Sequence, residues 1–101
     1  MAAIRIGVNF RVKPGRYGDL LEAGKAFKKV VERCGGDYLV GRVTTGADTG
    51  NIIVVHTYPS WTAFEKAGSD PEFQRLLQTI QSDANPPYES FVSNFIEEVP
   101  L

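Results

Sequence analysis

The stretch "VVHTYPSWTAFEKAGSDPEF", residues 54–73, decides the fold, because a strand turns into an interrupted helix within it. Val54, His56 and Tyr58 alternate with Val55 and Thr57, a period of two that reads as β-strand. Pro59 lacks a backbone N–H and stops the strand. Ser60 is placed to cap "WTAFEKA", and Asp70-Pro71 reads as a second cap followed by proline at the first helical position. Phe73, Leu76, Leu77 and Ile80 then recur at helical spacing and predict the buried stripe of the restarted helix.

On the N-terminal side, "DYLVGRVTT" (37–45) and "NIIVVHTY" (51–58) flank the turn "GADTG", which predicts an antiparallel hairpin with a five-residue loop. Further back, "RYGDLLEAGKAFKKVVERC" (16–34) places Leu20, Gly24, Phe27, Val31 and Cys34 on one side of a helix, with Leu21 and Val30 beside them. Lysines and Glu32 and Arg33 face the water, and Gly35-Gly36 provides the stop. The opening segment "AAIRIGVNFRV" (2–12) alternates strictly, with Ile4, Ile6, Val8, Phe10 and Val12 on one face and Arg5, Gly7, Asn9 and Arg11 on the other. After the break "NPP", "YESFVSNFIEEV" (88–99) reads as the last strand. The order is therefore β-α-β-β-α-β, the ferredoxin-like α+β arrangement, with a four-stranded antiparallel sheet and its helices on one face.

The length of 101 residues predicts a single domain spanning 1–101. A net charge of −1 offers no electrostatic case for nucleic acid or an anionic membrane surface. No apolar run approaches the roughly 20 residues that span a bilayer, and "MAAIRIGVNF" lacks the layout of a secretory leader. One cysteine, Cys34, and one histidine, His56, are too few for a disulfide framework or for a Cys- or His-based metal site. The expectation is a metal-free cytoplasmic protein without a cofactor. Both faces of the strands are apolar: Ile53 and Val55 back onto Ile52 and Val54, and Phe91 and Phe95 back onto Val92 and Ile96. Helices cover one face, so the other calls for a second cover, and the simplest is another copy of the chain. A homodimer through the sheet face is expected.

The element order, the two-sided sheet and the run Pro-Ser-Trp-x-x-Phe followed by Asp-Pro-x-Phe resemble the dimeric α/β-barrel superfamily over nearly the whole chain. That superfamily includes the antibiotic-biosynthesis-monooxygenase-like and NIPSNAP-like proteins. The resemblance implies a dimer whose two sheets close into a barrel, and a ligand pocket between each chain's sheet and helices. It also implies a range of activities, from cofactor-free oxygenases to proteins with no known chemistry. The haem-degrading branch keeps a Trp and a His where, aligned on "AFEKAGSDPEFQRLL", this chain has Ala67 and Leu77, so the usual axial ligand is missing.

His56 reads either as a general base or as a structural histidine at a strand end. Asn9 and Arg11, Tyr38 and Arg42, His56 and Tyr58, and Ser90 and Asn94 each share a face of their own strand, and could converge into one polar patch. His56 with Asn9 is the candidate catalytic pair. Arg11, Tyr38, Arg42, Tyr58, Trp61 and Tyr88 are the candidate ligand contacts. The arginines and Trp61 have plainer readings: arginines pairing with Glu89, Glu97 or Glu98, and Trp61 anchoring the head of a helix. Cys34, at a helix C-terminus, reads as packing. Three functions stay open: binding of a small apolar or aromatic metabolite, a cofactor-independent monooxygenase acting on an electron-rich aromatic, or a purely structural dimer module.

Overall fold

The computed structural model describes residues 3–101. Its elements run β1 (Ile4–Val12), α1 (Tyr17–Arg33), β2 (Asp37–Arg42), β3 (Ile52–Tyr58), α2 (Trp61–Gly68), α3 (Pro71–Gln81) and β4 (Tyr88–Glu97). Ala2, the expected start of the first strand, lies outside the described residues. The four strands form one antiparallel sheet in the order β2-β3-β1-β4. This is the ferredoxin-like α+β fold, with one difference: the second helical region is two helices, giving β-α-β-β-α-α-β.

The break between α2 and α3 has a local cause. Asp70 is extended (ψ 128°), and its carboxylate accepts from the N–H groups of Glu72 and Phe73, with Pro71 opening the next helix. The Arg33 guanidinium, in the last turn of α1, grips Asp70 at 3.0 and 3.2 Å and Glu72 at 3.1 Å. That fork ties the end of α1 to the start of α3. The Arg33 hydrogen bond holds the Asp70 carboxyl below its ordinary range. Ser60 caps α2 by accepting from Ala63 N–H at 3.2 Å.

In an antiparallel pair, directly opposed residues share a face. The register therefore sorts every strand. Ile4, Ile6, Val8 and Phe10 of β1 lie opposite Tyr58, His56, Val54 and Ile52 of β3, facing the helices. Tyr38 and Val40 of β2 join that face through His56 and Val54, and Phe91, Ser93 and Phe95 of β4 join it through Phe10, Val8 and Ile6. The core forms where α1 lands on this face: Val30 and Val31 are fully buried, beside Ile4, Ile6, Tyr58 and Ala67. Each of the buried valines and isoleucines contributes about 1.5–3 kcal/mol of apolar burial. Gly35 ends α1 with φ +91°, and Gly36 lets the chain pass so close that a Cβ there would meet the Tyr58 ring and the Val31 side chain at 2.8 Å. Cys34 is buried and free, as packing predicts.

The other face of the sheet carries no helix. Leu39, Ile53, Val55, Val92 and Ile96 lie on it around Gly7, and Leu39 and Val92 are 67% and 62% exposed. The molecule is accordingly a slab of 40 × 35 × 17 Å, one sheet and one helical layer thick.

Candidate functional site

α1 and α3 do not close fully onto the sheet. They leave a cleft of about 360 Å³ between the helices and the helix-facing side of the strands. Its floor is Ile6, Val8, Phe10, Ile52 and Val54, and its roof is Leu20, Phe27, Phe73, Leu77 and Ile80. This accounts for a departure from the sequence reading. The sequence predicts a buried stripe on α3, yet no α3 residue is buried, and Leu77 is 37% exposed. Three of its four members, Phe73, Leu77 and Ile80, face the cleft. Along the β4 side the cleft is bordered by Phe91 and Phe95.

The polar groups in this cleft are few. His56 and Tyr38 sit together because they are cross-strand partners, with ring centroids 6.0 Å apart. Tyr88, Ser93 and Gln81 add hydroxyl and amide groups elsewhere along the wall. No charged side chain among the described residues lines it. Behind His56 lies Tyr58, which is 1% exposed and places its hydroxyl 2.8 Å from His56 Nδ1. Burial lowers the His56 pKa to about 4, so the imidazole is neutral at neutral pH. Burial also pushes the Tyr58 hydroxyl up to about 12, and Tyr38 well above the usual tyrosine value.

The structure gathers some of the sequence candidates and scatters others. His56, Tyr38 and Tyr88 line the cleft. Tyr58 does not line it and touches a lining residue, His56, from behind. Asn9 is on the opposite face of the sheet, opposed to Ile53 and Val92, so it cannot share a cavity with His56. Its amide oxygen accepts from Asn51 Nδ2 at 2.9 Å, at the edge of a polar hollow with Arg11, Asp48 and Ser90. Arg11 is on that same far face and pairs with Glu89 at 3.2 Å, while Arg5 approaches Glu98 at 4.0 Å. Arg42 shares the helix-facing side but lies at its end, 4.9 Å over the Tyr17 ring, outside the cleft. Trp61 is half-exposed and stacks edge-on against Phe64 and Phe95, beside the cleft but not in its wall. The single polar patch expected from eight residues is thus two groups on two faces. The reason is strand phase: Asn9 alternates out of step with the apolar stripe of β1, whereas His56 is in step with Ile52 and Val54.

Most of the roof was not foreseen as a site. Phe27, Phe73 and Ile80 carry only the pattern of an ordinary core, and nothing in their spacing distinguishes a cleft from a packed interior. Leu77 is a cleft residue. No three His, Cys, Asp or Glu residues among those described are grouped to hold a metal ion.

No protein-family model and no curated protein matches the chain by sequence. The fold has clear counterparts among solved structures, and these include antibiotic biosynthesis monooxygenase proteins. A Caulobacter crescentus protein provisionally assigned as an antibiotic biosynthesis monooxygenase superposes with a TM-score of 0.76 at 17% identity, covering 98% of this chain and 92% of that one. A variant of SnoaB, a cofactor-independent oxygenase from Streptomyces nogalater, superposes with a TM-score of 0.74 at 11% identity, covering 98% and 95%. The Mycobacterium tuberculosis protein Rv0793 gives 0.72 at 15% identity, covering 98% and 95%. At these identities the likeness is one of fold.

Proposed function

We propose that the chain binds a small apolar or aromatic metabolite in the sheet–helix cleft. The observation that carries this reading is the cleft itself: about 360 Å³ with apolar walls and two neighbouring polar groups, His56 and Tyr38. A packed core of native density has no such space, and small-molecule sites combine apolar walls with a few placed polar groups. The proposed assembly is a homodimer through the bare sheet face. Exposed Leu39, Val92 and Ile96 on that face support it.

A second reading, a cofactor-independent monooxygenase acting on an electron-rich aromatic, is favoured by the fold shared with the SnoaB oxygenase and by the imidazole in the cleft. In that reading Asn9 and Arg11 have no part, because both lie across the sheet from the cleft. The test compares wild type with His56→Ala for ligand-induced rises in melting temperature over a panel of quinols, aromatic ketones and aromatic acids. Binding predicts a rise in wild type that shrinks in the variant. No shift with any compound in either protein contradicts both readings. Oxygen uptake with a quinol that is lost in His56→Ala would favour the oxygenase.

A further inference from the structure

We infer that Gly24 is a specificity-determining residue of the cleft: by carrying no side chain, it keeps open the space between the middle of α1 and Tyr38. The inference rests on the cleft being a binding site and says which position limits what fits there. Gly24 lies in the interior of α1 and lines the cleft with Leu20 and Phe27, which are four and three residues away on the same side of the helix. Helix energetics disfavour a glycine at such a position. It loses more backbone freedom on folding than alanine does and gives the helix no side chain to pack.

The two structural needs that call for glycine elsewhere in this chain are both absent at Gly24. Its backbone is helical; the glycines with positive φ among the described residues are Gly15, Gly35, Gly46 and Gly50. Nor does another segment pass too close. A Cβ at Gly24 would meet Val40 Cγ2 at 3.9 Å and the Tyr38 hydroxyl at 4.0 Å, both ordinary van der Waals contacts. Gly36 is the contrast, since a Cβ there would run into the Tyr58 ring and Val31 at 2.8 Å. Alanine at position 24 would therefore fit, gain two contacts and strengthen the helix. What it would remove is room, because Val40 and Tyr38, the neighbours of that Cβ, are both cleft residues. A longer side chain would occupy the cleft beside the Tyr38 hydroxyl. A local rule broken with no gain in packing is the mark of a position kept for function.

The test sets stability against binding. In urea melts, Gly24→Ala should raise the midpoint with an unchanged slope, because the helix gains and nothing collides. Binding is followed by NMR titration with 9-fluorenone as the probe, in wild type, Gly24→Ala, Gly24→Leu and Gly18→Ala. Gly18 is the control: it lies in the first turn of α1, does not line the cleft, and a Cβ there would meet nothing within 4 Å. Gly24→Leu should weaken fluorenone binding by about tenfold or more, since side chain and probe compete for one space. Gly24→Ala should weaken it less, and Gly18→Ala should leave it unchanged. A lower urea midpoint in Gly24→Ala overturns the inference, because the glycine would then be needed for the fold. Undiminished binding in Gly24→Leu also overturns it, as does undiminished binding in Gly24→Ala should the leucine variant fail to fold; in both cases the cleft stands as the binding site. Failure of wild type to bind the probe overturns the cleft reading and the inference with it.

Discussion

At the scale of single residues, His56 is the group whose chemistry the fold alters most. Burial holds its folded-state pKa near 4 against an ordinary value of 6.5. The unfolded chain takes up this proton first, so the sign is fixed: as pH falls below about 6.5 the folded state loses stability relative to the unfolded one, and the loss is complete below about 4. On the order of 1–3 kcal/mol is at stake, from the size of the shift discounted for the open side of the cleft. Urea melts of wild type and His56→Phe across this window should diverge, with wild type falling more steeply. Parallel curves would mean that the imidazole is not held neutral by burial. The in-step position of His56 with Ile52 and Val54 was readable in the sequence, and so was the opposite phase of Asn9. The partnership of His56 with Tyr38 was not, because it depends on the β2–β3 register, and β2 ends at Arg42 and β3 starts at Ile52, a longer connection than the five-residue turn the sequence suggests.

At the scale of elements, most of the chain was legible, because helices and strands announce themselves through period and caps. The caps at Ser60 and Asp70 both do what their residue types suggest, accepting from the N–H groups of the turn that follows. The two-helix form of 61–81 follows from the second cap, which a continuous helix would not need. Ser60→Ala should destabilise the protein by about 1 kcal/mol, read as a lower urea midpoint with an unchanged slope. No loss would mean that the cap hydrogen bond has no net value there. The cleft was illegible at this scale. The apolar stripe of α3 has the same period whether it meets a packed sheet or roofs a gap. What decides between them is how α3 sits over the sheet, which depends on contacts distant in sequence, such as Arg33 with Asp70 and Glu72, 37 to 39 residues apart.

At the scale of the whole molecule, the slab has one wet side and one bare sheet. The apolar band of Leu39, Ile53, Val55, Val92 and Ile96 is flanked by Arg5–Glu98 and Arg11–Glu89 pairs at the strand ends. That is the pattern of an apolar interface centre with a polar rim. A self-associating sheet face predicts a dimer in sedimentation at micromolar concentration, and Val92→Lys should shift it to monomer. A monomeric wild type would contradict the proposed assembly while leaving the cleft untouched, since Val92 faces away from it. Both proposed activities require that a ligand enter the cleft. An NMR titration of the full chain with 9-fluorenone tests this most directly. The prediction is saturable shifts in the methyl groups of Val40, Val54, Leu77 and Ile80, which line the cleft, with Ile53 and Val55 across the sheet left in place. Shifts confined to Ile53, Val55 and Val92, or no saturable shift at all, would contradict it.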